Sequence, residues 1–340
     1  MPAGVVLVGA VVAAVVLLRT SGGVPLGGSL PPPLPLSSYR IQYAVEVLGR
    51  PSGAETRTES RPFLGRYESR DGNGRLVSGL VSNASGSYAY VTSPTGHWVP
   101  IAAGAHRAAG DQQAGWALRA ALQRRLAGVA GTDVVTGRRC TIVRTGKPLG
   151  SPLTRPTDQD HADLCVEAHG LVLREEWTSG GRLVRTRTAT ALTIDPHLPP
   201  TAFLPSPVSG ALAPGTDGTT TVLPVTPQEM PSLRLYLPPP PGYTSVGAQA
   251  ETTFGPDGPT TVVVSHFVDG PDLLDLEQGE LSQPPPTAVA VELGAGRAGL
   301  LVLDPTASYV DVDLPGGLTA RVEGTDVDRL ITAAAAVEER

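Results

Sequence analysis

Apolar and polar positions alternate along Tyr39–Val47. Tyr39, Ile41, Tyr43, Val45 and Val47 share one side, and Arg40, Gln42 and Glu46 take the other. Period two with aromatic and β-branched residues predicts a half-buried strand. Further strands are predicted at Thr56–Ser60, Pro62–Ser69, Arg75–Val81 and Ser87–Thr92. The turns between them, Asp71–Gly74 and Asn83–Gly86, use residues that tolerate positive φ. The period then changes: Leu118, Leu122, Leu126 and Val129 recur every three or four residues, with Arg119, Gln123, Arg124 and Arg125 on other faces. That pattern predicts one amphipathic helix lying on the sheet, its arginines solvated. Strands resume at Gly137–Pro148 and through Asp163–Ile194, where alternating runs on either side of Thr178–Gly181 read as a hairpin.

Residues 206–230 are rich in Gly, Pro and Thr with no persistent period, which predicts a linker. Short strands follow from Leu233 to Glu323, then a closing helix with Thr325 as N-cap and Asp328 three residues on. This order predicts an α+β protein: a curved antiparallel sheet with a covering helix over 38–205, then a smaller α+β domain over 231–338. At the other end, Met1–Leu18 carries no ionisable side chain. As a helix it would span about 27 Å, within the range of a single membrane crossing. Residues 1–19 therefore read as a membrane anchor or export signal. No basic segment precedes the run and no small-x-small site follows it, which favours the uncleaved form. Residues 20–37, with Pro31–Leu36 reading PPPLPL, read as an extended spacer.

Composition narrows the function. With 40 Gly and 34 Pro, these two types fill about a fifth of the 340 residues, against about 12% on average. The net charge is −6, and Lys147 is the one lysine. A duplex nucleic-acid binder needs a concentrated positive footprint, so nucleic acid is not an expected partner. Cys140 and Cys165 are the two cysteines, both in or beside predicted strands. Adjacent antiparallel strands could place them opposite one another as a disulfide, which would accord with an oxidising compartment outside the cytoplasm. A reduced buried pair and a metal site are the alternatives. The spacing is not CxxC, so thiol exchange has no support.

The sequence carries no GxSxG or P-loop motif. His97, His106, His161, His169, His197 and His266 form no tight ligand motif. Asp158, Asp160, His161 and Asp163 make a polar cluster that reads as a solvated loop before a cation site. Glu175 and Glu176 are neighbours in a strand and point to opposite faces, so they cannot act as a paired acid and base. No cofactor is expected. Asn83 heads a formal glycosylation triplet.

The order of elements resembles the RseB-like sigma-E regulators and the LolA-like lipoprotein-carrier fold. The resemblance is carried by YRIQYAVEV opening the sheet, by the helix near Trp116 and by CVEAHGLVLREEWTSGGRLVRTRTATAL. It extends to YLPPPPGY with the strands and TDVDRLITAAA helix that follow. It covers about 38–205 and 231–338, and it implies a half-barrel whose concavity takes acyl chains. It also implies a non-enzymatic envelope protein that senses lipids or restrains an anti-sigma factor; no residue is fixed as a site. Three readings follow: a membrane-tethered or exported regulator binding a lipid and a protein partner, a structural or ligand-binding envelope module, and an enzyme. The first predicts an open apolar cavity in the first domain, the second a filled core, the third convergent polar groups in a cleft.

Overall fold

The computed structural model describes residues 25–92, 96–103, 114–208, 220–225, 235–236, 239–255, 258–279, 281–314 and 318–339. The stretch read as an anchor or export signal, 1–19, lies outside them. Among the described residues no helix is long and apolar enough to cross a membrane.

Eleven strands make the first sheet: β1 (Ser38–Val47), β2 (Arg50–Ser60), β3 (Leu64–Asp71), β4 (Leu76–Asn83), β5 (Gly86–Val91), β6 (His97–Ala103), β7 (Gly128–Val135), β8 (Arg138–Thr145), β9 (His161–Val166), β10 (Val172–Ser179) and β11 (Arg182–Ile194). Their order is β6-β5-β4-β3-β2-β1-β11-β10-β9-β8-β7. Two antiparallel meanders are thus joined where β11 returns beside β1, with Tyr43 opposite Ala189. Among the described residues β6 and β7 are the two outer strands, so the sheet is open and does not close into a barrel. The chain must travel from one edge to the other between them, and α1 (Ala114–Gln123) lies on that crossing.

α1 buries Ala117, Leu118, Ala121 and Leu122. It is shorter than the leucine periodicity predicts: Arg125 takes φ 56°, Leu126 donates its N–H to Ala121 O, and Val129 belongs to β7 instead. Gly115 allows the helix to sit against the 167–170 turn. A Cβ there would come within 2.6 Å of Gly170 Cα and 2.8 Å of Pro33 Cγ.

The second sheet, also antiparallel, runs β12-β14-β15-β16-β20-β19-β18-β17. Its strands are β12 (Thr220–Val225), β14 (Thr244–Gly255), β15 (Gly258–Asp269), β16 (Asp272–Gly279), β17 (Val289–Gly294), β18 (Arg297–Val302), β19 (Ser308–Leu314) and β20 (Leu318–Gly324). Two-residue strands β13 (Leu235–Tyr236) and β21 (Glu338–Glu339) pair with each other. α2 (Val327–Ala335) packs on β19 and β20 through Val327, Leu330, Ala333 and Ala334. Its N-cap is Asp326, whose carboxylate accepts from the N–H groups of Asp328 and Arg329, where the sequence pointed to Thr325. Thr325 is buried one residue too early to cap. Arg297 reaches from β18 to Ala335 O, the last carbonyl of α2, and to Val337 O just beyond it, where a cation complements the helix dipole.

Two stretches without periodicity contribute structure. Within 206–230, Thr220–Val225 pairs with β14. Within 20–37, Leu34 N bonds Ala168 O, Gly27 bridges Gly128 in parallel, and Leu30 and Leu36 are buried. Prolines fix that backbone in an extended form, and the leucines between them fasten it to the first sheet.

Candidate functional site

The two sheets meet over α1. One continuous cluster of buried side chains joins Leu118, Leu122, Val143 and Leu164 of the first to Phe267, Leu274, Val310 and Leu330 of the second. Leu153 N donates to Leu303 O across the junction, 2.7 Å. Around the rim, Arg61 lies 3.6 Å from Asp272 and reaches Thr325 Oγ1, while Arg119 pairs with Asp328 at 3.0 Å. Asp272 also receives Arg329 at 3.3 Å.

At this junction the first sheet carries buried charge. The register sets Tyr39 opposite Glu59, Ile41 opposite Arg57 and Tyr43 opposite Glu55. On the other side of β1, Arg187 is 1% exposed. It bonds Glu55 at 3.2 Å, lies 3.2 Å from Glu175 and stacks over the Tyr43 ring at 4.5 Å. Arg185 adds a 2.6 Å bond to Glu55. Glu175 accepts from Leu149 N, and Tyr43 Oη donates to Val172 O. Burial opposes the charge of Arg187, but Tyr43, Glu175 and Glu55 more than offset it, holding the guanidinium protonated. Burial pushes the Glu59 carboxyl up to about 7 against the pull of Arg61, its Tyr39 hydrogen bond and Arg57.

Two hollows adjoin this region. One, about 20 Å³, is lined by Tyr39, Tyr43, Arg57 and Arg187 and faces Pro305 and Thr306 of the second half; that suffices for a water. The other is an apolar cleft of about 250 Å³ whose walls include Leu30, Pro31, Pro33, Cys140, Glu167 and Gly170. It is smaller than the roughly 300–1,000 Å³ of pockets that enclose drug-sized ligands.

Cys140 and Cys165 are joined as a disulfide with Cα atoms 5.3 Å apart. The register sets Cys165 opposite Ile142, so the bond runs diagonally between β8 and β9, not straight across. The other candidates disperse. Asp163 forms a two-point pair with Arg144 at 2.6 Å. Asp160 accepts from Ser179 Oγ and Gly180 N, and His161 Nδ1 meets Thr157 O. Asp158 is exposed. Among the described residues no group of three or more His, Cys, Asp or Glu is placed to hold a metal.

Glu175 and Glu176 do face opposite ways, one buried and one half-buried. His106 lies outside the described residues, His97 opens β6 and His197 is exposed. His169 meets Glu167 at 2.9 Å, and His266 is buried against Asp275 at 2.8 Å. Sequence reasoning missed the Glu55–Glu175–Arg187 cluster and the buried Glu59 beside Tyr39. Their signal was present, since Glu55, Arg57 and Glu59 alternate along a strand beside one whose inward face is aromatic.

No protein-family model and no curated protein sequence matches the chain. Among solved structures it is similar to MucB in complex with MucA(peri), at 14% identity and a TM-score of 0.27, covering 89% of this chain and 93% of that one. MucB alone gives 14% and 0.29 over the same shares. A DUF1329 family protein from Desulfovibrio piger gives 11% and 0.18, covering 50% of this chain and 90% of that one. At identities and TM-scores this low, no residue and no partner transfers from those proteins. The strand order, open edges and covering helix make the first sheet an open antiparallel half-barrel.

Proposed function

We propose that the chain is a non-enzymatic envelope protein, tethered to a membrane by its opening apolar stretch, that holds a protein partner outside the cytoplasm. The partner class implied by the sequence resemblance is an anti-sigma factor. The observation that supports a protein partner is the small apolar cleft on the first half; the packed junction is what the module reading expects. α1 and the second sheet pack on the first sheet as one core, and the apolar cleft, lined by the first half alone, measures about 250 Å³. Such a cleft suits one or two side chains of an extended peptide better than an acyl chain. The disulfide accords with the oxidising side of a membrane.

The test is crosslinking of the full chain in native membranes, with lipid mass spectrometry on the same preparation. Recovery of a single-span membrane protein, without stoichiometric lipid, is the expected result. Stoichiometric lipid with no crosslinked protein would replace the regulator with a lipid carrier.

A further inference from the structure

Pairing register brings several chain turns to one rim of the first sheet. Gly27 bridges Gly128, and Gly128 pairs with Arg144 at the start of the β7–β8 ladder. The neighbouring pairs Thr145–Ala162, His161–Thr178 and Ser179–Arg182 continue along the same end. Leu48 N then donates to Val184 O, which ties the β1–β2 turn to the β10–β11 turn. The β3–β4 turn lies next in line, since Gly53 pairs with Asp71.

The side chains at this rim are unusual for a surface. Leu48 is 58% exposed, Leu183 48% and Val47 42%. Leu48 also holds φ 51°, where a leucine is strained and Gly or Asn is the low-cost choice. Arg50, Arg75 and Arg182 are exposed in the same three turns. Two of the neighbouring carboxylates turn back to the backbone: Asp71 accepts from Asn73 N and Arg75 N, and Asp160 from Gly180 N. Glu46 and Asp158 remain the exposed acids nearby. In a chain of net charge −6, this rim thus presents an apolar tip ringed by arginines.

The chain reaches the sheet at the same rim. Arg19, which ends the apolar stretch, and Gly27 are eight residues apart, at most about 29 Å fully extended. We propose that this rim rests on the membrane surface, with Leu48 and Leu183 entering the interface and Arg50, Arg75 and Arg182 meeting anionic lipid headgroups. Apolar tips with flanking cations are the combination that binds such interfaces. The inference rests on the membrane tether of the proposed function and adds an orientation to it.

The experiment uses the full chain with Leu48→Trp, reconstituted into phosphatidylcholine vesicles with and without phosphatidylglycerol and carrying brominated acyl chains. Leu183→Trp serves as a second reporter should the first variant fold poorly. Val134→Trp, at the opposite end of β7 and 60% exposed in the parent, is the control. Emission is read as the difference from the parent. Loss of emission is expected at Leu48→Trp and Leu183→Trp in the anionic vesicles, not at Val134→Trp. Arg50→Gln with Arg182→Gln should reduce it, as should 1 M salt, which shortens the Debye length to about 3 Å. A chain that resists alkaline carbonate yet shows no such loss, or equal loss at Val134→Trp, overturns the rim and leaves the tether standing. A chain that carbonate washes off overturns both.

Discussion

Both sheets give aliphatic side chains to their junction, but the first adds buried charge. In the second, Leu276 faces Val322 and Val322 faces Val310, so aliphatic side chains meet across three strands and under α2. In the first, every inward residue from Tyr39 to Tyr43 on β1 faces a charged one on β2, and Arg187 with Glu175 extends the charge to β11 and β10. Aliphatic contacts tolerate small shifts in position. An arginine shared by two carboxylates and an aromatic ring does not, since without it Glu175 becomes a buried unpaired charge and Glu55 is left with Arg185 alone. The second sheet is thus built for cohesion, and the first for a fixed geometry where the two halves touch.

The largest expected effect is on that geometry. Arg187→Met alone should cost about 3–5 kcal/mol in denaturant unfolding, and adding Glu55→Leu and Glu175→Leu should recover most of it. Leu330→Ala, its aliphatic counterpart in α2, should cost about 2–5 kcal/mol with no such rescue, because it leaves a cavity. A loss below 1 kcal/mol for Arg187→Met would erase the contrast.

Next comes the disulfide. Replacing Cys140 and Cys165 together by Ser should cost about 3.5 kcal/mol in the chain-entropy model for their separation of 25 residues. The measurement is thermal unfolding with and without reductant; a parent insensitive to reductant would sink the prediction.

Glu59 sharpens the comparison through pH. Its folded pKa, about 7, stands above its ordinary 4.5, so the folded state binds the extra proton. Stability is therefore fully present below about 4.5 and is lost as pH rises toward 7, by up to about 3 kcal/mol. Glu59→Gln should flatten unfolding curves across that window. The smallest effect belongs to Arg119→Ala. Its partner Asp328 is 60% exposed, so the double-mutant coupling energy should fall between about 0.2 and 1 kcal/mol.

Much of this fold was legible in the chain. Tyr39–Val47 alternates as a strand must, Thr178–Gly181 forms the hairpin turn with both glycines at positive φ, and Leu118 and Leu122 pin the helix to the sheet. β16 was not legible, because DLLDLEQG buries Asp275, Glu277 and Gln278 beside its leucines and shows no simple alternation. The same physics hid the junction. Charged residues inside a strand read as solvent-facing until the partner strands are known, and only the β1–β2 and β1–β11 registers turn Glu55 and Arg187 inward. Val47 failed in the other direction: it continues the apolar alternation but stands exposed at the tip.

Since the cluster of apolar side chains passes without a break from Val143 and Leu164 through α1 to Leu274 and Leu330, the two halves share one interior, beside which the first keeps a cluster of its own around Tyr39, Ile41 and Leu173. Heating should then give a single calorimetric transition for the whole chain. Cutting it within 206–230 should yield two fragments that melt early and precipitate, each baring the surface it lent to the other.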